Sequence, residues 1–136
     1  MLIKLTAENK EQLKKAGVQA VYIFGSRAQG AEGPLSDFDF AVLMAETGHK
    51  RGGKLYENIY EIISPHCPRT LKNDIIDIVF LRDVPLELRF HIIRYGKPIY
   101  DAEPKQRLNF EEKTVLEYCD YKPVLNFFDN AILASL

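Results

Sequence analysis

The chain has 136 residues, of which 46% are hydrophobic, and a formal net charge of −1 with a pI near 6.3. This length predicts one domain with a substantial core, and the near-neutral charge gives no global electrostatic case for nucleic-acid binding. The first residues turn polar too soon for a signal peptide, and no apolar run approaches the ~20 residues of a membrane span. Cys67 and Cys119 have no paired spacing and are expected to be reduced thiols. We therefore expect a soluble, cytoplasmic protein.

The first half of the chain predicts a helix followed by two buried strands. The strands are indicated by β-branched and aromatic residues, and glycines bound the first of them. The helix is indicated by a capping threonine, by lysines in its last turn and by a terminating glycine. The predicted elements are a helix over 7–16 between Thr6 and Gly17, a strand over 18–24, a short helical turn over 26–29, a loop over 30–36 and a strand over 37–44.

The second half predicts a third strand between helices. Its elements are a polar loop over 45–53, a helix over 54–64 that stops at Pro65, a strand over 75–81, a helix from Pro85 to Gly96, an edge strand at Ile99-Tyr100, and one or two helices from Lys105 with a break or first turn at Pro123. Apolar strands that need helical cover predict an α/β fold with a small mixed sheet, flanking helices and a helical C-terminus. We expect a single domain, with 1–104 as the α/β core and 105–136 as a C-terminal helical segment.

One phosphate-binding pattern in the polar loop is misleading. The residues Gly48-x-x-x-x-Gly53-Lys54 satisfy most of the P-loop pattern. However, Leu55 stands where a P-loop needs a hydroxyl, and no buried strand precedes the first glycine. We interpret the segment as a solvated loop. A position near a phosphate is the alternative for its basic residues, but exposure is favoured for all three: Lys50, Arg51 and Lys54.

The strand over 37–44 opens with two carboxylates. Residues two apart in a strand share a face, so Asp37 and Asp39 point the same way, whereas Phe38 and Phe40 point into the core. Two such carboxylates lie under ~7 Å apart and repel one another, which a cation between them would relieve. Hard oxygen ligands in a partly open site suit Mg²⁺, which leaves positions for substrate phosphates.

Two further features complete the candidate site. Gly25-Ser26 ends the first strand and points backbone N–H groups outward, which favours an anion there. Asp77 is the only charged residue of an apolar strand, where a lone carboxylate is costly unless it is paired or metal-bound. We expect Asp77 to be the third carboxylate; Asp74 is the alternative, although a turn residue is the simpler interpretation of it. One metal site requires the carboxylates to converge, so we expect the strands over 18–24 and 37–44 to be adjacent, with the strand over 75–81 beside the second.

The run Gly25-Ser26-Arg27-Ala28-x-Gly30 followed by Ser36-Asp37-x-Asp39 resembles the signature of the DNA polymerase β-like nucleotidyltransferases. The complete residue pattern resembles that of the minimal nucleotidyltransferase (MNT) family, whose members are the antitoxins of HEPN/MNT toxin–antitoxin pairs. The chain length, the apolar run around Asp77 and the apolar C-terminal tail fit this family as well. Gln29 departs from the pattern, because many relatives carry a basic residue at this position. The departure bears on a secondary contact with a phosphate or a partner, and it leaves the chemistry unchanged.

The resemblance implies a polymerase β palm-like nucleotidyltransferase fold, two Mg²⁺ ions and ATP as substrate. It makes Asp37, Asp39 and Asp77 the catalytic metal ligands, and it implies the following nucleotide-binding residues: Gly25, Ser26, Arg27 and Ser36. The activity implied is transfer of AMP to a tyrosine of a HEPN-domain ribonuclease toxin, which would be the partner in a hetero-oligomer. Neither membrane association nor direct nucleic-acid binding is expected.

Two other functions stay open at this point. A nucleotidyltransferase acting on a small molecule or an RNA end would need an acceptor domain, for which 136 residues leave no evident room. A non-catalytic antitoxin that merely covers a toxin would have no need of three clustered acids. Labelling of a partner protein that depends on ATP and Mg²⁺ separates these possibilities.

Overall fold

The computed structural model describes residues 3–25, 38–67 and 76–135, without the side chains of 124–129 and 132–135. The elements lie within about two residues of the predicted bounds. In chain order they are α1 (Ala7–Lys15), β1 (Val18–Phe24), β2 (Phe38–Met44), α2 (Lys54–Ile63), a 3₁₀ turn (Ser64–His66), β3 (Ile76–Phe80), α3 (Leu86–Tyr95), β4 (Lys97–Asp101) and α4 (Pro104–Ser135).

The described strands form one mixed sheet in the order β3-β2-β1-β4. β1 is antiparallel to both β2 and β4, whereas β2 and β3 are parallel. The predicted neighbours are therefore confirmed: the strand at 18–24 lies beside β2, and β3 lies beside β2 on its other side. β4, predicted as an edge strand, is at one edge of the sheet.

Helices cover both faces of the sheet. On one face, buried residues of the strands pack with Leu13 of α1 and with Ile59 and Ile63 of α2. On the other face they pack with Ile92 of α3 and Phe110 of α4. This arrangement confirms the predicted α/β class, since each apolar strand face obtains its own helical layer.

The start of the chain follows its sequence signals closely. Thr6 and Asn9 form a reciprocal capping box at the first turn of α1, with the Asn9 backbone N–H donating to the Thr6 hydroxyl at 3.1 Å. Gly17 follows the helix at φ +86°, a conformation that glycine adopts readily. The two thiols differ in setting: Cys67 is buried and Cys119 is exposed.

The C-terminal helix α4 differs from the prediction at Pro123. The expected break is not found, and one helix continues from Pro104 to Ser135. A proline inside a helix removes one backbone hydrogen bond to the carbonyl four residues earlier. Pro123 is exposed, and so is Cys119, whose carbonyl would otherwise accept that bond, so water can replace it. None of the described helices combines the length and apolar character that crossing a membrane requires.

A partly buried polar network joins α4 to the sheet. The Tyr22 hydroxyl, on β1, donates to Oε1 of Glu111 at 2.6 Å. Arg107 donates to the same oxygen at 2.9 Å and to Oδ2 of Asp101, on β4, at 2.8 Å. α4 is thus tied to two strands; the division into a 1–104 core and a 105–136 segment stays a prediction.

Candidate active site

Two carboxylates lie side by side on the sheet. Asp39 near the start of β2 and Asp77 near the start of β3 are direct register partners in the parallel pair. Register partners project from the same face of a sheet, so both side chains point the same way. Phe38 and Phe40 are buried in the cluster on the opposite face, as the alternation predicted.

Gly25 brings the end of β1 against this pair. Phe24 is the register partner of Asp39 on the antiparallel side, so the next residue lies beside the Asp39 carboxylate. A Cβ atom built on Gly25 would lie 2.7 Å from Oδ2 of Asp39, and Gly25 has φ +78°. Both the close approach and the backbone conformation therefore call for glycine at this position.

The Asp77 carboxylate has a hydrogen-bonding position that no described residue fills. Its Oδ1 is buried and accepts no hydrogen bond from the described residues. Among the described residues its cationic partner is the Arg51 guanidinium, whose Nη2 lies 3.4 Å from that oxygen without hydrogen-bond alignment. The described residues therefore compensate the charge in part and leave the lone pairs of Oδ1 without a donor, which is costly for a buried oxygen unless a further ligand fills the site.

Arg51 comes from the loop that joins β2 to α2. The Asp83 carboxylate accepts hydrogen bonds from the backbone N–H groups of Gly48 at 2.8 Å and His49 at 3.3 Å. The His49 ring packs against Phe80 with 5.2 Å between ring centroids. The loop was predicted to be solvated, and Arg51 is indeed 69% exposed, but its contact with Asp77 was missed. No periodic or spacing signal reveals it, because the contact joins a loop to a distant strand.

The remaining predicted site residues lie outside the described ranges: Ser26, Arg27, Ser36, Asp37 and Asp74. Their assigned roles stay predictions. Within 3–25, 38–67 and 76–135 no group of three His, Cys, Asp or Glu side chains is placed to hold a metal ion. The described part of the site is thus Gly25 with the carboxylates of Asp39 and Asp77.

These residues fit a hard divalent cation. Both donors are carboxylate oxygens on one face, the Asp77 side chain is 32% exposed, and its Oδ1 has no described hydrogen-bond donor. Oxygen ligands in a partly open site are the environment that Mg²⁺ prefers, since it keeps positions for water or substrate phosphates. We therefore regard this edge of the sheet as a candidate nucleotide-transfer site.

Comparison with known proteins identifies the class. The family model for polymerase beta nucleotidyltransferases matches residues 7–105. The protein adenylyltransferase MntA of Shewanella oneidensis is 30% identical over 118 residues, which cover 86% of this chain and 74% of that protein. The chain belongs to the polymerase β nucleotidyltransferase family, as its Gly25-Ser26 and Asp37-x-Asp39 signature indicated.

Solved structures agree on the fold. A crystal structure of a toxin–antitoxin with AMP-PNP matches with a TM-score of 0.68 at 24% identity, covering 94% of this chain and 99% of the matched chain. A structure of the tri-AMPylated Shewanella oneidensis HEPN toxin in complex with MNT antitoxin matches with a TM-score of 0.62 at 20% identity, covering 93% and 97%. These similarities confirm the predicted nucleotidyltransferase fold with its helical C-terminus.

Proposed function

We propose that this protein is a Mg²⁺-dependent protein adenylyltransferase that moves AMP from ATP to a tyrosine of a cognate HEPN-domain toxin, and so acts as its antitoxin in the cytoplasm. The observation that carries the proposal is the pairing of Asp39 with Asp77 beside Gly25. Family membership supports a nucleotidyl transfer, and the 30% identical relative is named a protein adenylyltransferase.

The proposal assigns metal binding to the acidic residues and nucleotide binding to residues of the other half of the signature and its junction. Asp37, Asp39 and Asp77 would hold two Mg²⁺ ions, which when bound neutralise phosphate charge and stabilise the attacking and leaving oxygens. Gly25, which directly follows β1, leaves room for the carboxylate of Asp39 on β2. Ser26, Arg27 and Ser36 would bind the nucleotide, for which backbone N–H groups after a strand are suited.

The transfer itself is an in-line displacement at the α-phosphate. The tyrosine oxygen forms a bond to the α-phosphorus while the bond to the leaving pyrophosphate breaks. The hydroxyl proton, which has an ordinary pKa near ~10, passes to Asp77 as the proposed base. Positioning of the two reactants supplies much of the acceleration, so a precisely held acceptor is required.

A partner protein is the acceptor that this chain best accommodates. The described part of α4 exposes large apolar side chains that the fold does not bury: Leu108, Val115, Leu116 and Tyr121. Exposed apolar residues gathered on one element favour a protein interface. We propose that segment 105–136 docks the toxin beside the 1–104 core in a hetero-oligomer; a solved complex of similar fold joins a HEPN toxin to an MNT antitoxin.

Isotope labelling tests the reaction type. The protein is incubated with its genomically adjacent HEPN partner, Mg²⁺ and ATP labelled at either the α- or the γ-phosphate. We expect partner labelling from α-labelled ATP alone, and its loss with EDTA. Labelling from γ-labelled ATP would indicate phosphoryl transfer instead, and no labelling from either would indicate a non-catalytic antitoxin.

A further inference from the structure

We propose that Arg51 is the counter-ion of Asp77 while no divalent cation is bound, and that Arg51 must leave Asp77 before a metal ion can bind there. The inference rests on the proposed metal site and adds to it a competing internal cation. Arg51 is then a positioning residue rather than a catalytic one, since it acts through the carboxylate that it neutralises.

The electrostatic need for a cation is set by the sheet register. Asp39 and Asp77 are direct register partners, so two carboxylates stand side by side on one face. Like charges at this spacing raise one another's energy, and a nearby positive charge relieves the repulsion. The described ion pair at this site joins the Arg51 guanidinium to Asp77.

The ion pair between Arg51 and Asp77 has the features of a contact that another cation can replace. Nη2 of Arg51 lies 3.4 Å from Oδ1 of Asp77 but makes no aligned hydrogen bond, and this oxygen accepts none from the other described residues. The Arg51 side chain is 69% exposed, so it can swing into water without breaking any buried packing. An ion pair of this kind contributes little energy, and a divalent cation can displace it.

Several specific contacts nevertheless fix the loop that carries Arg51, although the Arg51 side chain itself is free to move. Asp83 binds the backbone N–H groups of Gly48 and His49, and the His49 ring packs on Phe80 of β3. A turn follows at once, in which the Gly53 N–H donates to the Lys50 carbonyl at 3.2 Å. The loop is therefore attached next to the strand that carries Asp77, and Arg51 is at the tip of the turn that faces it.

The neighbouring Lys50 provides a matched control. It carries the same charge one residue earlier, it is exposed, and it forms no ion pair with the described residues. General electrostatic repulsion between the loop and a cation would be reduced equally by removing either charge. Direct competition for Asp77 would be relieved only by removing Arg51.

The test is Mn²⁺ binding to the nucleotide-free protein, measured by electron paramagnetic resonance of the free ion, for the wild type, Arg51→Gln and Lys50→Gln. We expect Arg51→Gln to bind Mn²⁺ roughly three- to fivefold more tightly than the wild type, the ratio that loss of a weak exposed ion pair gives. Lys50→Gln should stay close to the wild type. Raising the salt concentration should reduce the difference in Mn²⁺ affinity between the wild type and Arg51→Gln, because salt screens the Arg51 charge.

Three results would overturn the role of Arg51: equal affinities in the two variants, weaker binding in Arg51→Gln, or no Mn²⁺ bound by any of the proteins. Partner labelling from α-labelled ATP, run on the same preparations, separates this failure from failure of the proposed function. If the wild type labels its partner while Arg51→Gln and Lys50→Gln bind Mn²⁺ equally, the proposed function stands and this role of Arg51 is rejected.

Discussion

Gly25 and Asp39 are so close that a Cβ atom on Gly25 would lie 2.7 Å from Oδ2 of Asp39. The contact follows from the antiparallel register, in which Phe24 pairs with Asp39 and the chain then turns at a φ of +78°. The glycine of the signature thus has a physical reason that the structure shows: it leaves space for a carboxylate. The two halves of the signature touch each other before any ligand is considered.

Substitution of Gly25 by alanine should disturb both the backbone and the carboxylate. We expect Gly25→Ala to lose ~1 kcal/mol or more of unfolding free energy from the positive φ, and to lose nucleotide transfer because Asp39 is displaced. Gly17→Ala is the matched control: its φ is +86°, but a Cβ there meets only Met44 Cε at 3.5 Å. Urea denaturation and partner labelling measure the two effects. Wild-type transfer in Gly25→Ala would show that the contact with Asp39 is unimportant.

Neutralising Asp39 should separate activity from stability. Asp39→Asn keeps the shape of the side chain and removes one of two adjacent charges, so we expect loss of transfer with unchanged or raised thermal stability in the absence of metal. Added Mg²⁺ should raise the melting temperature of the wild type but not of the variant. Glu11→Gln, on the exposed face of α1, is the charge-matched control. An Asp39→Asn protein that melts far lower yet still transfers nucleotide would contradict the assignment.

The attachment of the Arg51 loop can be tested through Asp83. This carboxylate accepts from two successive backbone N–H groups, those of Gly48 and His49. We expect Asp83→Ala to speed hydrogen exchange at both amides, since their acceptor is removed. Glu46→Ala, another exposed acid of the same segment, should leave these rates unchanged. Equal exchange in the wild type and Asp83→Ala would show that the loop is held by other contacts.

How far the sequence predicts this architecture depends on the range of the interaction. The strands and the opposite faces of Phe38 and Asp39 follow from local alternation and were predicted correctly. The strand neighbours were also predicted correctly, from the need to bring the carboxylates together. The proximity of Asp77 to Asp39 was anticipated because a single charge in an apolar strand needs a partner. The ion pair of Asp77 with Arg51 could not be predicted, since it joins a loop to a strand through tertiary packing.

The C-terminal helix shows the same division between local and long-range effects. Its helical character follows from composition, but its continuation through Pro123 depends on solvent exposure that no local pattern encodes. The hydrogen bond from Tyr22 to Glu111 spans 89 positions of the chain. Such a contact appears only when α4 is packed on β1, so sequence patterning did not reveal it.

The Tyr22 hydroxyl should make stability depend on alkaline pH. Burial, and then its hydrogen bond to Glu111 and the charge of Glu111, raise the pKa of Tyr22 above its usual range. The folded state therefore holds this proton more tightly than the unfolded state, whose tyrosine pKa is near ~10. The stabilisation is complete below pH ~10 and is lost as the pH rises above that value, because the unfolded state then releases the proton first.

Replacement of Tyr22 by phenylalanine isolates this effect. Tyr22→Phe should lower the unfolding free energy by about 1–2 kcal/mol at pH 7, the usual range for such a hydrogen bond, and the difference should shrink above pH ~10. Tyr95→Phe, at a side chain that is 44% exposed, serves as the control and should keep the wild-type pH dependence. Urea denaturation at several pH values between 7 and 11 makes the comparison. Parallel curves for the wild type and Tyr22→Phe would rule out this contribution.

The Asp39 and Asp77 pair is proposed to support transfer of AMP to a toxin tyrosine. Intact-protein and peptide mass spectrometry of the cognate HEPN partner, after incubation with this protein, ATP and Mg²⁺, tests it most directly. We expect a mass gain of whole AMP units located on tyrosine, and no gain with Asp39→Asn. If a double variant Asp39→Asn/Asp77→Asn neutralised the toxin as well as the wild type, with no change in the toxin's mass, the protein would be a binding antitoxin and the claim would be wrong.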